Sequence, residues 1–294
     1  MNISVVIVAF KSDHVLESLI SKIPNHHEII VVENSLQDET KKNLESKFQN
    51  TKVFIPNENL GYSGGVNLGV EKSNHNFILI VTPDVSFSTE MLKNLEDCIE
   101  KFNDFTLLAP VYENSSVHKN FKIFHKNKVN KINIENFNLI EVDEIDGACF
   151  LLNKKEFTSN KIMDENFFLY FDSTDLCHQL KKKGKKMYII ENLNFIHEGT
   201  ASSEKDYKFE ILINRNWHYS WSKFYFCKKN YNYFYALRKV SPNFFRSLKE
   251  YLYSKFISDD NKTRLNKAIL SGISNAILLR KSHYRPNIKK NNKC

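Results

Sequence analysis

The sequence predicts an α/β protein, a mostly parallel sheet flanked by helices, followed by a basic helical extension. Three observations predict it. Short, nearly all-apolar runs at residues 3–9, 29–32 and 77–81 read as strands covered on both faces. The segments between them place apolar residues at helical spacing. Charge then divides the chain: residues 205–294 hold 20 Lys or Arg against 5 Asp or Glu, and residues 1–204 hold 22 against 29.

The elements follow in order. Residues 3–9 are short and β-branched, as a buried strand requires. Ser12 or Asp13 can cap the next helix, whose Val15, Leu16, Leu19, Ile20 and Ile23 fall on one face, and Pro24 ends it. A second strand at 29–32 leads through a polar break to a helix from about residue 38 to 48. The third strand spans 52–55, and Pro56-Asn57 opens a glycine-rich turn whose helix runs to about residue 72. Residues 77–81 form the fourth strand. Leu92, Leu95, Ile99 and Phe102 mark a helix over 89–102, and residues 107–111 another strand. Such alternation with short connections argues for right-handed crossovers in a parallel sheet.

Segment 112–140 is polar and rich in Asn and Lys, which leaves a loop and an inserted hairpin both open. Patterning resumes with a strand at Gly147-Ala-Cys-Phe-Leu-Leu152, a helix over 174–183 closed by Gly184, and a strand over 186–190. Beyond residue 205 the pattern is helical, with breaks near Asn230, Pro242 and Asp259-Asp260. Two domains are therefore expected, 1–204 and 205–294.

Composition narrows the setting. With 5 cysteines in 294 residues and no CxxC pair, a reducing compartment is expected. The amino terminus lacks the basic region and small-residue cleavage site of a signal peptide. No run approaches the roughly 20 apolar residues that span a bilayer. A cytoplasmic protein follows, peripheral at the inner face of the membrane if its basic tail meets lipid. That tail carries 18 of the 38 aromatic residues. It fits an anionic membrane surface best, and next a helical subdomain that simply packs its aromatics. Single-stranded nucleic acid fits least.

The chemistry concentrates in Asn59-Leu-Gly-Tyr-Ser-Gly-Gly-Val-Asn-Leu-Gly69 and in Thr82-Pro-Asp84 after the fourth strand. Glycines let a backbone approach a ligand closely. An aspartate just past a buried strand sits at the sheet's carboxyl edge, where open α/β sheets bind ligands. This is a layout for a nucleotide diphosphate held through a hard cation, Mg²⁺ or Mn²⁺, with Asp84 supplying the oxygen ligand. Asn59, Gly61, Gly64, Gly65 and Asn67 would face that nucleotide. Ala9 and Phe10, ending strand one, can hold a flat base. The reading requires Asp84 to stand open at the sheet edge, close to the backbone of residues 61–65. A dinucleotide fingerprint would follow strand one, but Phe10-Lys-Ser-Asp13 contains no glycine. The same segment lacks the basic glycine loop expected of a nucleotidyltransferase.

Three further blocks give the chain a likeness. They are Glu33-Asn-Ser-Leu-Gln-Asp38, Asp164-Glu-Asn-Phe-Phe-Leu-Tyr-Phe-Asp172-Ser-Thr-Asp175-Leu-Cys-His-Gln-Leu180, and Phe195-Ile-His197-Glu-Gly-Thr-Ala-Ser202. With the glycine turn they resemble family 2 inverting glycosyltransferases of the GT-A fold, rhamnosyltransferase-like, over roughly residues 3–203. The resemblance implies sugar transfer from a nucleotide-diphospho-sugar to an acceptor hydroxyl of a glycan or lipid-linked sugar, in surface polysaccharide synthesis. It implies that Glu33 and Asp38 serve the nucleotide and that His197 joins Asp84 at the metal. On the acceptor side it places Gly147, Ala148 and Asp175, the last as a cap or buttress for its helix. The catalytic base falls to Asp172. Two departures stand out: Glu33 replaces the family's Asp, and Ser173 replaces the second acid of the block. The second departure keeps a rival alive, a degenerate relative that binds nucleotide sugar or nucleic acid without turnover.

Overall fold

A computed structural model of the 294-residue chain describes residues 1–113, 119–124, 129–197 and 207–285. It divides into two compact units, Met1–Asp164 with Asp172–Glu204, and Glu165–Phe171 with Lys205–Cys294.

The first unit is built on a mixed sheet. Strands β1 (Ser4–Ala9), β2 (Glu28–Glu33), β3 (Thr51–Phe54) and β4 (Phe77–Val81) alternate with helices α1 (Asp13–Ile20), α2 (Asp38–Lys47) and α3 (Gly61–Lys72). They pair in parallel in the order β3-β2-β1-β4. A short β5 (Val85–Ser86), helix α4 (Thr89–Lys101) and β6 (Leu107–Tyr112) follow. Among its described residues, the segment left open by its sequence forms β7 (Phe121–Lys122) and a hairpin of β8 (Lys131–Ile134) and β9 (Phe137–Glu141). Residues 114–118 and 125–128 lie outside the described ones. After β10 (Glu144–Ile145), β11 (Cys149–Asn153) enters antiparallel between β4 and β6. Helix α5 (Asp172–Lys182) and the long β12 (Met187–His197) complete the unit, with β12 parallel to β6 and antiparallel to β9. The parallel half is thus confined to the amino-terminal strands, and the later strands mix directions.

Alternation along β1 explains the layers. Val5, Ile7 and Ala9 pack toward α1, α2 and α4 through Leu16, Leu19, Leu44, Leu92, Leu95 and Ile99. Val6 and Val8 face the other way, toward Val66 and Val70 of α3 and Leu176 and Leu180 of α5. Successive strand side chains point to opposite faces, so an all-apolar strand needs helices on both.

The glycine segment differs from its sequence reading. The helix starts at Gly61 itself, in a left-handed conformation with φ 70°. Gly65 and Gly69 are inside that helix, against the sheet. A Cβ on Gly65 would lie 2.6 Å from Val8 Cγ1, and one on Gly69 would lie 2.2 Å from Val6 Cγ1. Gly64 is closed off by Leu60, whose Cβ would be 2.8 Å away. Gly65 and Gly69 let α3 approach β1 closely.

The second unit is helical: α6 (Lys208–Asn230), α7 (Tyr233–Phe256) and α8 (Asp260–Ile277). Trp217, Trp221, Phe224, Val240, Ala268 and Ile273 form its core. Gly272 lets α8 approach the Trp217 carbonyl, which an added Cβ would meet at 2.4 Å. The unit also claims Glu165–Phe171, which the sequence assigns to the first domain. Packing accounts for this: Phe167 meets Tyr225 at 4.9 Å, Phe168 stacks on His218 at 4.5 Å, and Ser222 Oγ donates to the Leu169 carbonyl at 2.8 Å. Pro242 falls inside α7 rather than breaking it. No described helix is long and apolar enough to cross a membrane.

Val6 is β-branched and fully buried, so it has no room to yield at the α3 contact. Gly69→Ala is expected to destabilise the protein by about 1–3 kcal/mol through overpacking, read as a lower urea midpoint at unchanged slope. Wild-type stability in that variant would show that α3 is free to move off the sheet.

Candidate active site

The carboxyl ends of β1, β2 and β4 converge because the strands are parallel, and a network of short loops fills that edge. At β1 and β2, the Asn34 amide donates from its backbone to the Ala9 carbonyl at 2.9 Å. Its side chain donates to the Gly61 carbonyl at 3.0 Å and accepts from the Leu60 amide at 3.2 Å. Asn59 Oδ1 accepts from the Gly61 amide at 2.9 Å. Asn34, absent from the sequence-predicted set although it follows Glu33 directly, therefore ties two loops to the start of α3.

Glu33 is buried, and its carboxylate accepts from the Ser35 and Gln37 amides, each at 2.9 Å. Its first structural task is to close its own loop. The Phe10 backbone is held similarly: its amide donates to Ser12 Oγ at 3.3 Å, and that hydroxyl donates to the Phe10 carbonyl at 3.1 Å. Asp38 is exposed in the first turn of α2, where a carboxylate suits the positive end of the helix. Asn67 is turned away from this edge. Its Oδ1 accepts from the Ile162 and Met163 amides at 3.0 and 2.9 Å, and its Nδ2 donates to the Met163 carbonyl at 2.9 Å. Asn67, Gly64 and Gly65 thus have packing or hydrogen-bond partners within the protein.

The second half of the edge is built around Asp84. A tight turn, closed by the Val85 amide on the Thr82 carbonyl at 3.1 Å, presents it after β4. Strand β12 supplies its partner. A register slip between Ile190 and Asn194 bends β12, and its last residues then pair with β5, setting His197 opposite Val85. His197 Nε2 comes to 3.5 Å from Asp84 Oδ2. The sequence reading asked for a carboxylate open at the sheet edge, but Asp84 is only 8 % exposed. The structure encloses it beside His197, whose own side chain is 25 % exposed. Gly199 to Ser202, which supported the choice of His197, lie outside the described residues.

Backbone bonds continue the network. The Thr82 amide donates to the Ala148 carbonyl at 2.8 Å, and the Ala148 amide donates to Asp146 Oδ1 at 2.8 Å. Tyr62, on the first turn of α3, donates its hydroxyl to the Gly147 carbonyl. A Cβ on Gly147 would lie 3.2 Å from Ser173 Oγ and 3.5 Å from the Tyr62 ring. Asp172, at the start of α5, accepts from the Ser173 amide at 2.7 Å. It follows two residues in left-handed conformation, Tyr170 (φ 65°) and Phe171 (φ 60°), each of which costs on the order of 1–2 kcal/mol for a side chain of this size. Asp175 is buried one turn along α5. The structure therefore brings Asp84, His197, Gly147, Ala148 and Asp172 into one network and adds Tyr62 and Asp146. Asp146 heads the segment Asp146-Gly-Ala148 that the likeness places on the acceptor side, and Tyr62 stood within the glycine segment, so adjacency was the available signal for it.

Electrostatics bind the network further. Burial opposes ionisation of Asp84, but the His197 hydrogen bond and charge, with Thr82, hold its carboxyl below the usual range. Burial likewise disfavours charge on His197, yet Asp84, and more distantly Asp146, raise it above the ordinary imidazole value. The Tyr62 hydroxyl is pushed far up by burial and then by the charges of Asp172, Asp146 and Asp84, which keeps it a neutral donor. A carboxylate and an imidazole nitrogen 3.5 Å apart are a pairing that one divalent ion could share, with bonds of roughly 2.0–2.2 Å. A second group, His26, His27 and Glu96, is less suited. The Ile3 amide donates to His27 Nδ1 at 3.3 Å, which leaves the proton on Nε2, directed at Glu96 2.8 Å away.

The linkage of the pair has a definite sign. The raised His197 value adds stability that is complete below the ordinary imidazole range, ~6.5, and is lost as pH rises through the raised value. The lowered Asp84 value adds stability above the ordinary carboxylate range, ~3.9, lost as pH falls through the lowered value. Asp84→Asn leaves burial as the main influence on His197, so its imidazole should titrate below ~6.5 instead of above it. Imidazole NMR would read this, and an unchanged titration would uncouple the two residues.

The model of the family described as glycosyl transferase family 2 matches residues 4–158. A hexosyltransferase of low-salt glycan biosynthesis, Agl10 of Haloferax volcanii, is 23 % identical over 208 residues, covering 67 % of each chain. Among solved structures, the mannosyltransferase PcManGT of Pyrobaculum calidifontis, in complex with GDP-Man and Mn²⁺, superposes with a TM-score of 0.56 at 9 % identity. That alignment covers 95 % of this chain and 88 % of PcManGT. TarS 1-349 of S. aureus in complex with UDP-GlcNAc gives 0.53 at 13 % identity, covering 97 % and 93 %. These structural likenesses concern the fold, which is GT-A-like. The chain belongs to glycosyl transferase family 2.

Proposed function

We propose that this family 2 glycosyltransferase moves a hexose from a nucleotide-diphospho-sugar to a hydroxyl of a glycan or lipid-linked acceptor, inverting the anomeric carbon, in surface polysaccharide synthesis. The observation that carries the reading is the Asp84–His197 pair, 3.5 Å apart at the carboxyl edge of the sheet and joined through Ala148 and Gly147 to Tyr62. Asp84 does not meet the openness asked of it, and access to the pair is through the His197 side chain, 25 % exposed. Support comes from the names of similar proteins: one is a glycan hexosyltransferase, and two were seen with GDP-Man and Mn²⁺ or with UDP-GlcNAc.

In this reading Asp84 and His197 would hold a divalent cation. The cation, when bound, neutralises charge that develops on the departing nucleotide diphosphate. The protein does the rest. Ala9, Phe10, Glu33 and Asn34 frame the nucleotide pocket, and Asn59 fixes the start of α3 beside it. Asp172 takes the proton of the acceptor hydroxyl as that oxygen attacks. The Ser173 amide orients one Asp172 oxygen at 2.7 Å. Ser173 itself stands against Gly147, so an acid in its place would meet that backbone, and the base is assigned to Asp172. One carboxylate suffices, because the leaving group is already anionic. Asp146, exposed beside Gly147, contributes negative charge on the acceptor side.

The partners in this reading are a glycan or lipid-linked acceptor and, for the basic extension, an anionic membrane surface at the cytoplasmic face. Asp172→Asn should lower transfer by about 10²–10⁴-fold, the usual worth of a positioned base, while donor binding persists. Thermal stabilisation by UDP-, dTDP- and GDP-sugars with Mn²⁺ would report that binding. Asp84→Asn should lose the Mn²⁺-dependent part of the stabilisation. Near-normal turnover by Asp172→Asn would remove it from the role.

A further inference from the structure

Helix α7 has two apolar faces where a packed helix needs one. Its inner face carries Ala236, Val240, Ser247 and Ser254, all buried in the helical unit. Its outer face carries Phe234, Phe245, Leu252 and Phe256, exposed at 80, 67, 59 and 86 %. At ~100° per residue, these four fall within a sector of roughly 40°, on the side opposite the buried one. Among the described residues, Phe234 and Phe245 meet the neighbouring rings of Tyr233 and Phe244, and all four stripe residues stay exposed. Scattered surface apolar residues are ordinary, but four large ones aligned over the 24-residue helix are not.

The surroundings of the stripe say what covers it. Arg238 and Lys249 lie at its margin, with Arg246 and Lys255 to either side, all exposed. The one acid of the helix, Glu250, falls on a different side, roughly 160° round from Phe234. Among the described residues none of these four cations pairs with a carboxylate, whereas Lys47, Lys72, Lys101, Lys122, Lys181 and Arg264 all do. Tyr253, also exposed, adds an aromatic ring with a polar tip at the stripe's edge. A second copy of the chain would bring like charges together along this face. An anionic bilayer surface complements both features at once, taking phenyl and leucyl groups below the headgroups and lysine and arginine at their level.

We infer that the outer face of α7 docks the protein in the plane of an anionic membrane, with Phe234, Phe245, Leu252 and Phe256 inserted and Arg238 and Lys249 at the headgroups. This deepens the proposed peripheral association, on which it rests, by assigning it to one helix face. The test is sedimentation of the full-length protein with vesicles of phosphatidylcholine, with and without 30 mol % phosphatidylglycerol. Binding is expected only to the anionic vesicles and should fall as salt rises. The triple variant Phe234→Ser, Phe245→Ser, Phe256→Ser should bind at least tenfold more weakly, and Arg238→Gln with Lys249→Gln should lose most of the salt dependence. Phe124→Ser, an exposed aromatic of the other unit, should bind as wild type. A thermal melt and unchanged donor hydrolysis would confirm that each variant is folded. No binding by the wild type would end the membrane reading itself. Wild-type binding retained by the triple variant would leave that reading and overturn the assignment to α7. A lipid-free dimer dissolved by the triple variant would overturn it as well, in favour of a contact between copies.

Discussion

The close approach of α3 to β1 governs the geometry of the first unit. Without side chains at Gly65 and Gly69, the helix lies directly on Val8 and Val6. That contact fixes where α3 begins, and its first turn carries the Gly61 carbonyl that Asn34 grips and the Tyr62 hydroxyl that holds Gly147. Gly147 and Ala148 in turn receive Ser173 and the Asp84 turn. A helix displaced by one methyl group would pass its displacement along each of these contacts. Sub-ångström placement of polar groups here is therefore a product of apolar packing on the far side of the same helix.

Much of the fold could be read from the chain because its strands are continuous apolar runs and its helices are periodic. Both signals are local, and both come from burial on defined faces. The antiparallel β11 and the β8–β9 hairpin were not legible as such, since strand direction and pairing are set by contacts distant in sequence. The site was legible in part. Asp84, His197, Gly147, Ala148 and Asp172 could be picked out by likeness, and the structure connects them. The packing role of the glycines was not legible, because a glycine needed for helix–sheet contact and one needed for ligand approach look alike in a sequence. Asn34 and Tyr62 escaped because their importance is relational: each joins loops that meet only after folding.

The second unit shows the same limit from the other side. Its charge and aromatic content were plain in the composition, but composition cannot say which rings are interior. The structure separates Trp217, Trp221 and Phe224, which form a core, from Phe234, Phe245 and Phe256, which do not. It also assigns Phe167 and Phe168 to this unit, immediately before Asp172 in the chain. Two successive left-handed residues, Tyr170 and Phe171, make that handover. Backbone held in this way persists only where its surroundings over-determine it, here through the Ser222 bond to Leu169 and the stacking of Phe168 and Phe171.

The slipped register of β12 separates two demands on a single strand. Residues before Ile190 keep step with β6 and β9, while those after Asn194 keep step with β6 and β5 under a shifted count. Glu191 to Leu193 act as a spacer between these halves. The inner half can accumulate apolar exchanges suited to the core without rotating the imidazole at its tip. Loss or gain of a single residue in the spacer, by contrast, would turn His197 to the opposite face, so chain length there is under tighter constraint than side-chain identity.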